Sequence, residues 1–213
     1  MPAQALPLRA LRRRQRAFRL RVRRRRAVRL RVAAPVEKRK KMSSSIVEPV
    51  SEAPVSFTAA VVTVSDSCSR GERVDLSGPA VRATLGKFGF RVVATKIVQD
   101  DSMQIQNALV HLALEARFIV TTGGTGIGPR DVTPEATEAI CDRLIVGVGE
   151  RMRLEGAKKT SFAALSRGVC GVREKTLILN LPGSPSGALE SLEAVADLIP
   201  HALNLLDGKT EHS

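Results

Sequence analysis

Four short stretches of this chain are apolar and rich in β-branched residues along most of their length: residues 59–64 (AAVVTV), Arg91–Val98, Phe118–Thr122 and Thr176–Leu181. A strand with one face in water alternates apolar and polar residues, whereas a strand covered on both faces has no need to. The runs therefore predict a parallel sheet sandwiched between helices, and helical patterns do separate them. Ser77-Gly78-Pro79 opens one helix, with Val81, Leu85 and Phe88 on one face and Gly89 at its end. A second carries Ile105, Ala108, Leu109, Leu112 and Ala116 on one stripe, with Asp101 and Gln104 spaced for a capping box. A third starts at Thr133-Pro134, read as an N-cap followed by Pro at the first helical position. The last carries Leu189, Leu192, Val195, Ala196, Ile199 and Leu203, with a kink expected at Pro200. Alternating strands and helices give a doubly wound α/β fold, here a single three-layer domain with a mainly parallel sheet over residues 56–213.

Charge separates that domain from what precedes it. The chain carries +13 overall, but Met1 to Lys41 holds seventeen Lys and Arg against one acid, Glu37. That segment is +16, which leaves −3 for the remainder, so the basic character belongs to the head and not to the domain. Residues 1–55 are expected to be an Arg-rich, disordered extension and linker. Three readings of it compete: an arm for nucleic acid, a transit peptide, and an overlong start upstream of Met42, the last being favoured. Trp and Tyr are absent and there are six Phe, few platforms for stacking bases, so no nucleic acid is expected on the domain. Cys68, Cys141 and Cys170 lie far apart and show no metal-ligand spacing. No apolar run is long enough for a membrane span, and a reducing, cytoplasmic setting is expected.

In an open parallel sheet, ligands bind beyond the carboxyl ends of the strands. After Phe118–Thr122 comes Gly123-Gly124-Thr125-Gly126-Ile127-Gly128-Pro129-Arg130-Asp131. Its glycines allow close approach and inward-facing N–H groups, and the helix at Thr133 turns its positive end toward an anion. It is neither a Walker A loop nor a dinucleotide fingerprint. A second loop, Asn180-Leu181-Pro182-Gly183-Ser184-Pro185-Ser186-Gly187, follows the run Thr176–Leu181, with Ser184 also suited to cap the next helix. Asp100 and Asp131 fall on the same rim, where acids beside a phosphate loop suggest a bridging Mg²⁺. Ser65 and Asp66 follow the first run and face that rim too. Ser166-Arg167 offers a hydroxyl and a fork-shaped cation suited to phosphate. From these residues alone, the ligand is a Mg-nucleotide or a phosphate ester.

The motifs TVSDSCSRGERVDLSGP, TTGGTGIGPRDVTPEAT, AALSRGVCGVREKTLILNLPGSPSG and PHALNLL, in that order, resemble the Mog-type molybdopterin adenylyltransferases and the gephyrin G domain. The resemblance covers nearly the whole domain; the glycine loop alone is shared with MoaB-type and CinA-type domains. It implies a parallel-sheet domain that forms homotrimers, works in molybdenum cofactor synthesis, and hands its product to other cofactor enzymes such as the molybdenum insertase. The implied reaction transfers AMP from Mg-ATP to the terminal phosphate of molybdopterin. Asp100 and Asp131 match the family's catalytic and magnesium-linked acids. Ser65, Asp66 and Thr122, Gly123, Gly124, Thr125 and Gly126 fall to the nucleotide, and Ser166, Arg167, Pro182, Gly183 and Ser184 to the pterin. The chain departs from the family at Gln99-Asp100-Asp101, often Pro-Asp-Glu, and at Val146-Gly147-Val148, often Pro-Gly-Phe or Pro-Gly-Leu. The alternatives are a non-catalytic pterin- or nucleotide-binding paralogue, and tungsten in place of molybdenum.

Overall fold

The computed structural model describes residues 57–209. The Arg-rich head lies outside them. Six strands form one sheet: β1 (Thr58–Val64), β2 (Arg91–Val98), β3 (Phe118–Thr122), β4 (Arg143–Leu144), β5 (Cys170–Arg173) and β6 (Thr176–Leu181), in the spatial order β2-β1-β3-β6-β5-β4. The first four in that order run parallel, and β5 and β4 close one edge antiparallel. Seven α-helices are present among the described residues: α1 (Asp66–Ser69), α2 (Ser77–Lys87), α3 (Ser102–Leu112), α4 (Thr133–Ile140), α5 (Val146–Ala157), α6 (Pro185–Glu193) and α7 (Ile199–Leu206), with a 3₁₀ turn at Ser161–Leu165. None is long and apolar enough to cross a membrane.

Each central strand feeds two cores, which is why its sequence does not alternate. On one face Val61, Val120 and Leu179 pack with Val81 and Leu85 of α2, Leu192 of α6 and Leu203 of α7. On the other, Val62, Ile119 and Ile178 pack with Ile105 and Leu109 of α3 and Ala136 of α4. Burying one such aliphatic side chain contributes about 1.5–3 kcal/mol, and both layers depend on the same three strands. The edge strand β2 differs: only Val98 is buried, and Arg91 and Lys96 mark its open side.

Several expectations change in detail. Phe88 does not continue the buried face of α2; it sits at the C-cap, 40% exposed. Asp101 caps α3 by accepting from the Gln104 N–H at 2.9 Å, but the Gln104 side chain donates to Gln99, so the reciprocal half of the box is missing. Thr133 is the first helical residue rather than the cap, because its hydroxyl is spent on the Gly123 carbonyl, 2.9 Å away. Of the C-terminal stripe Leu192, Val195, Ile199 and Leu203 are buried and Leu189 and Ala196 half-buried, and Pro200 marks a break rather than a kink. Helix α6 ends at Glu193 and α7 restarts at Ile199, with Pro200 in its first turn, where a missing N–H costs nothing.

Cys170 lies in the core beside Val172 and Leu179. Burial pushes its thiol up to about 12, with a smaller push from Cys141, itself raised to about 11 chiefly by burial. A raised thiol pKa keeps the unreactive protonated form at pH 8. Iodoacetamide at that pH is therefore expected to leave Cys170 unmodified in the native protein and to label it once denaturant is added, as read by peptide mass mapping. Rapid labelling of the native protein at Cys170 would contradict this packing.

Candidate active site

Because β1, β2, β3 and β6 are parallel, their carboxyl ends share one rim. There Ser65, Asp100, Gly123 and Pro182 follow in turn. Gly123 is the meeting point. Its φ of 104° lies in the region that favours glycine, and a Cβ there would run into the Val64 carbonyl. Gly183 packs so closely that a Cβ on it would stand 3.3 Å from the Gly123 Cα. The Gly123 N–H donates to the Leu181 carbonyl at 3.1 Å, so it is committed to the fold. The N–H groups of Gly124, Thr125 and Gly126 donate to no protein acceptor among the described residues. An unsatisfied run of amides on a tight loop is an anion cradle.

The loop is held from outside by Arg167. Its Nε donates to the Gly126 carbonyl and its Nη2 to the Asp131 carbonyl, both at 2.6 Å, while Nη1 pairs with Glu135. The fork expected to meet phosphate thus grips the loop, and the Arg167 backbone N–H adds a bond to the Thr125 carbonyl at 2.9 Å. From below, Asn180 donates both amide hydrogens, to the Thr121 and Thr137 hydroxyls at 3.0 Å each, inside a fully buried pocket. The sequence places Asn180 at the start of the second loop without a role; the signal for one was an amide in an otherwise apolar strand.

The acids form a second layer. Asp66 and Asp100 bond reciprocally: the Asp66 N–H donates to the Asp100 carboxylate at 2.8 Å, and the Asp100 N–H to the Asp66 carboxylate at 3.1 Å. Arg130 forks onto Asp66 at 2.9–3.1 Å. Burial pushes the Asp100 carboxyl above the usual range, and the charges of Asp66 and Asp131 push the same way, against the Asp66 amide and Arg130. Burial also acts upward on Asp66, but the Arg130 hydrogen bond and charge, the Asp100 amide and Arg70 outweigh it and hold Asp66 low. Asp131 accepts from the Gly128 N–H at 2.7 Å. Both Asp100 and Asp131 face the glycine loop. A Cβ at Gly124 would stand 3.1 Å from Asp100 Oδ1, and one at Gly126 would stand 2.7 Å from Asp131 Oδ2. No cluster of three or more His, Cys, Asp or Glu suited to a metal occurs among the described residues.

Two cavities flank the loops. One, about 350 Å³, is lined by Ser65, Asp75, Asp100, Thr122 and Gly123. The other, about 420 Å³, is lined by Thr125, Gly126, Asp131, Arg153, Phe162 and Ser166. Gly124, Gly183 and Ser184 border both. Asp66 and Arg167 line neither; they brace the residues that do. Ser184 also caps α6, accepting from the Gly187 N–H at 3.3 Å. Asp75 was not singled out from sequence. It accepts from Thr63 at 2.6 Å and from Ser77 and the Gly78 N–H at 3.2 and 3.0 Å, fixing the start of α2 at the edge of the first cavity.

Residues 60–201 match the family described as "Probable molybdopterin binding domain". The molybdopterin adenylyltransferase of Helicobacter pylori is 41% identical over 152 residues, which cover 70% of this chain and 86% of that protein. The molybdenum cofactor synthesis protein cinnamon of Drosophila melanogaster is 43% identical over 154 residues, 71% of this chain but only 26% of that longer protein. The crystal structure of the molybdopterin biosynthesis enzyme MoaB from Thermus thermophilus is 52% identical and covers 72% of this chain and 98% of its own, with a TM-score of 0.68.

The contact at Gly123 gives a test with two opposite signs. Gly123→Ala is expected to cost about 3 kcal/mol or more, from the forbidden φ and the Val64 carbonyl together. Gly86→Ala, in open space within α2, is expected to stabilise by roughly 0.5–1 kcal/mol. Urea unfolding of the two variants measures both; a neutral Gly123→Ala would show that the strand ends do not meet as described.

Proposed function

The chain belongs to this molybdopterin-binding family, and from that premise we propose that it is a molybdopterin adenylyltransferase acting in molybdenum cofactor synthesis. The observation that carries the reading is the pair of cavities bordered in common by Gly124, Gly183 and Ser184. Two substrates seated on either side meet at a loop with unspent N–H groups. The relative that is named molybdopterin adenylyltransferase, matched over most of its length, supports the same reaction.

In this reading ATP takes the cavity at Ser65, Asp100 and Thr122, and molybdopterin takes the one at Ser166, Pro182 and Gly183. An oxygen of the molybdopterin terminal phosphate attacks the α-phosphorus of ATP. That P–O bond forms as the bond from the α-phosphorus to the bridging oxygen breaks, and the electron pair leaves with pyrophosphate. The nucleophile is already an anion, so no general base is required, and the protein's part is positioning and charge stabilisation. The N–H groups of Gly124, Thr125 and Gly126 cradle the phosphates. Asp100 and Asp131 would hold Mg²⁺, which supplies charge neutralisation across them; two carboxylates facing one loop suit an ion that completes its shell with phosphate oxygens and water. Asp66 and Arg130 act one step back, by fixing Asp100. A homotrimer, a cytoplasmic setting, a domain spanning 56–213 and transfer of product to a molybdenum insertase complete the proposal.

The test is turnover of the full chain with molybdopterin, ATP and Mg²⁺, following pyrophosphate and adenylated pterin. Asp131→Asn keeps an oxygen for the Gly128 N–H, so it removes charge while sparing the loop. It is expected to lower kcat on the order of 10²-fold with molybdopterin affinity little changed, and Asp100→Asn to behave alike. Full turnover by either variant would remove that acid from the mechanism. Pterin binding without any adenylation by the wild type would overturn the reaction itself.

A further inference from the structure

Arg153 is a cation without a carboxylate. It sits half-buried on α5, in the wall of the 420 Å³ cavity. Its neighbours and counterparts are paired: Arg151 with Asp197, Arg130 with Asp66 and Arg167 with Glu135. Among the described residues no ion pair includes Arg153. Instead Nη1 donates to two carbonyls, of Gly168 at 3.3 Å and Ser166 at 3.5 Å, which fixes the guanidinium beside Ser166. Gly149, one turn earlier on the same helix, makes room for it. A Cβ there would stand 3.4 and 3.6 Å from Nη1 and Nη2, and 3.0 Å from the Gly168 carbonyl oxygen.

The other charged side chains lining this cavity, Asp131 and Glu190, are both acids. An anion entering it meets one cation, and that cation has two carbonyls but no acid as partner among the described residues. A half-buried charge left unpaired is costly, and a bound anion would relieve it. The guanidinium fork also matches the two oxygens of a phosphate. Resting on the reaction proposed above, we infer that Arg153 binds the phosphate monoester of the substrate in this cavity, the role that Arg167 gives up by gripping the glycine loop.

The experiment compares wild type with Arg153→Gln, Arg153→Lys and Gly149→Ala in the full chain. It measures KM for each substrate, inhibition by inorganic phosphate, and the thermal midpoint. Arg153→Gln is expected to raise KM for molybdopterin on the order of tenfold or more, the loss of a hydrogen-bonded charge, and to weaken phosphate competition against molybdopterin in proportion. KM for ATP and the thermal midpoint should stay near wild type. Arg153→Lys should recover part of the affinity, and Gly149→Ala, which crowds the guanidinium, should mimic part of the loss with Arg153 still present. Unchanged molybdopterin KM and phosphate inhibition in Arg153→Gln would overturn the inference. So would equal rises in both KM values with a lowered thermal midpoint, the signature of a mere tether to the Ser166 loop. Should the wild type show no turnover, equilibrium titration with molybdopterin and with inorganic phosphate still decides on Arg153: retained binding in Arg153→Gln refutes the role, and lost binding upholds it while the reaction fails.

Discussion

Everything at the rim depends on how closely three backbones approach at Gly123. The carbonyl of Val64 at the end of β1, the Gly183 loop after β6 and the Gly123 turn after β3 occupy space that a single methyl group would fill. A carbonyl of β6 takes the Gly123 N–H, and the first residue of α4 takes the Gly123 carbonyl. The turn is therefore closed on itself, and the N–H groups that follow it, from Gly124 to Gly126, are left without an acceptor among the described residues. The anion site proposed here does not need a cationic side chain to create it. It is a by-product of strands converging with no side chains between them, which is also why the loop must be glycine at 123 and 124, where φ is 104° and 62°.

Such a loop would be soft if it were free, and the structure spends its polar side chains on keeping it still. Arg167 clamps it from the outer side through two carbonyls, and Asn180 ties β3, β6 and α4 beneath it. The acids are treated in the same way. Asp66 and Asp100 exchange backbone N–H bonds, and Arg130 balances one of the two charges. The pair is asymmetric as a result: Asp66, held low by its arginine, is a bracket, whereas Asp100, pushed up by burial and by neighbouring acids, is the carboxylate left facing the loop. Positioning to a fraction of an ångström is what a reaction of this kind asks of a protein, and here it comes from groups that line neither cavity.

The central strands were legible because burial on both faces leaves no polar positions, and the loops because glycine clusters have few other uses. Less legible were the elements whose pattern is short or broken by glycine. Helix α5 carries three glycines and only a narrow apolar stripe, Val148 and Met152, so its periodicity is faint. Strand β5 is four residues long with a glycine inside. Thr133 and Arg167 show a different gap. Residue type and position identified each as important, but a cap and a tie to a neighbouring carbonyl look alike in one dimension, as do a phosphate fork and a loop clamp. Which of the two an Arg becomes depends on the distance to a segment some forty residues away, and no local pattern encodes that.

The same argument explains why the two cavities belong together. An adenylyl transfer between two phosphorylated substrates must bring two anions into contact, which water and ordinary surfaces resist. A loop of backbone amides can face both at once, because its N–H groups carry partial charge without the bulk of side chains. On the proposed reading Gly124, with Gly183 and Ser184 beside it, borders both cavities for that reason, while charged side chains stand at the sides: Arg73, Asp75 and Asp100 toward one cavity, Asp131, Arg153 and Glu190 toward the other. A fold in which those loops stood apart by the width of one side chain would present two separate pockets. Here the absence of that side chain joins them into one site.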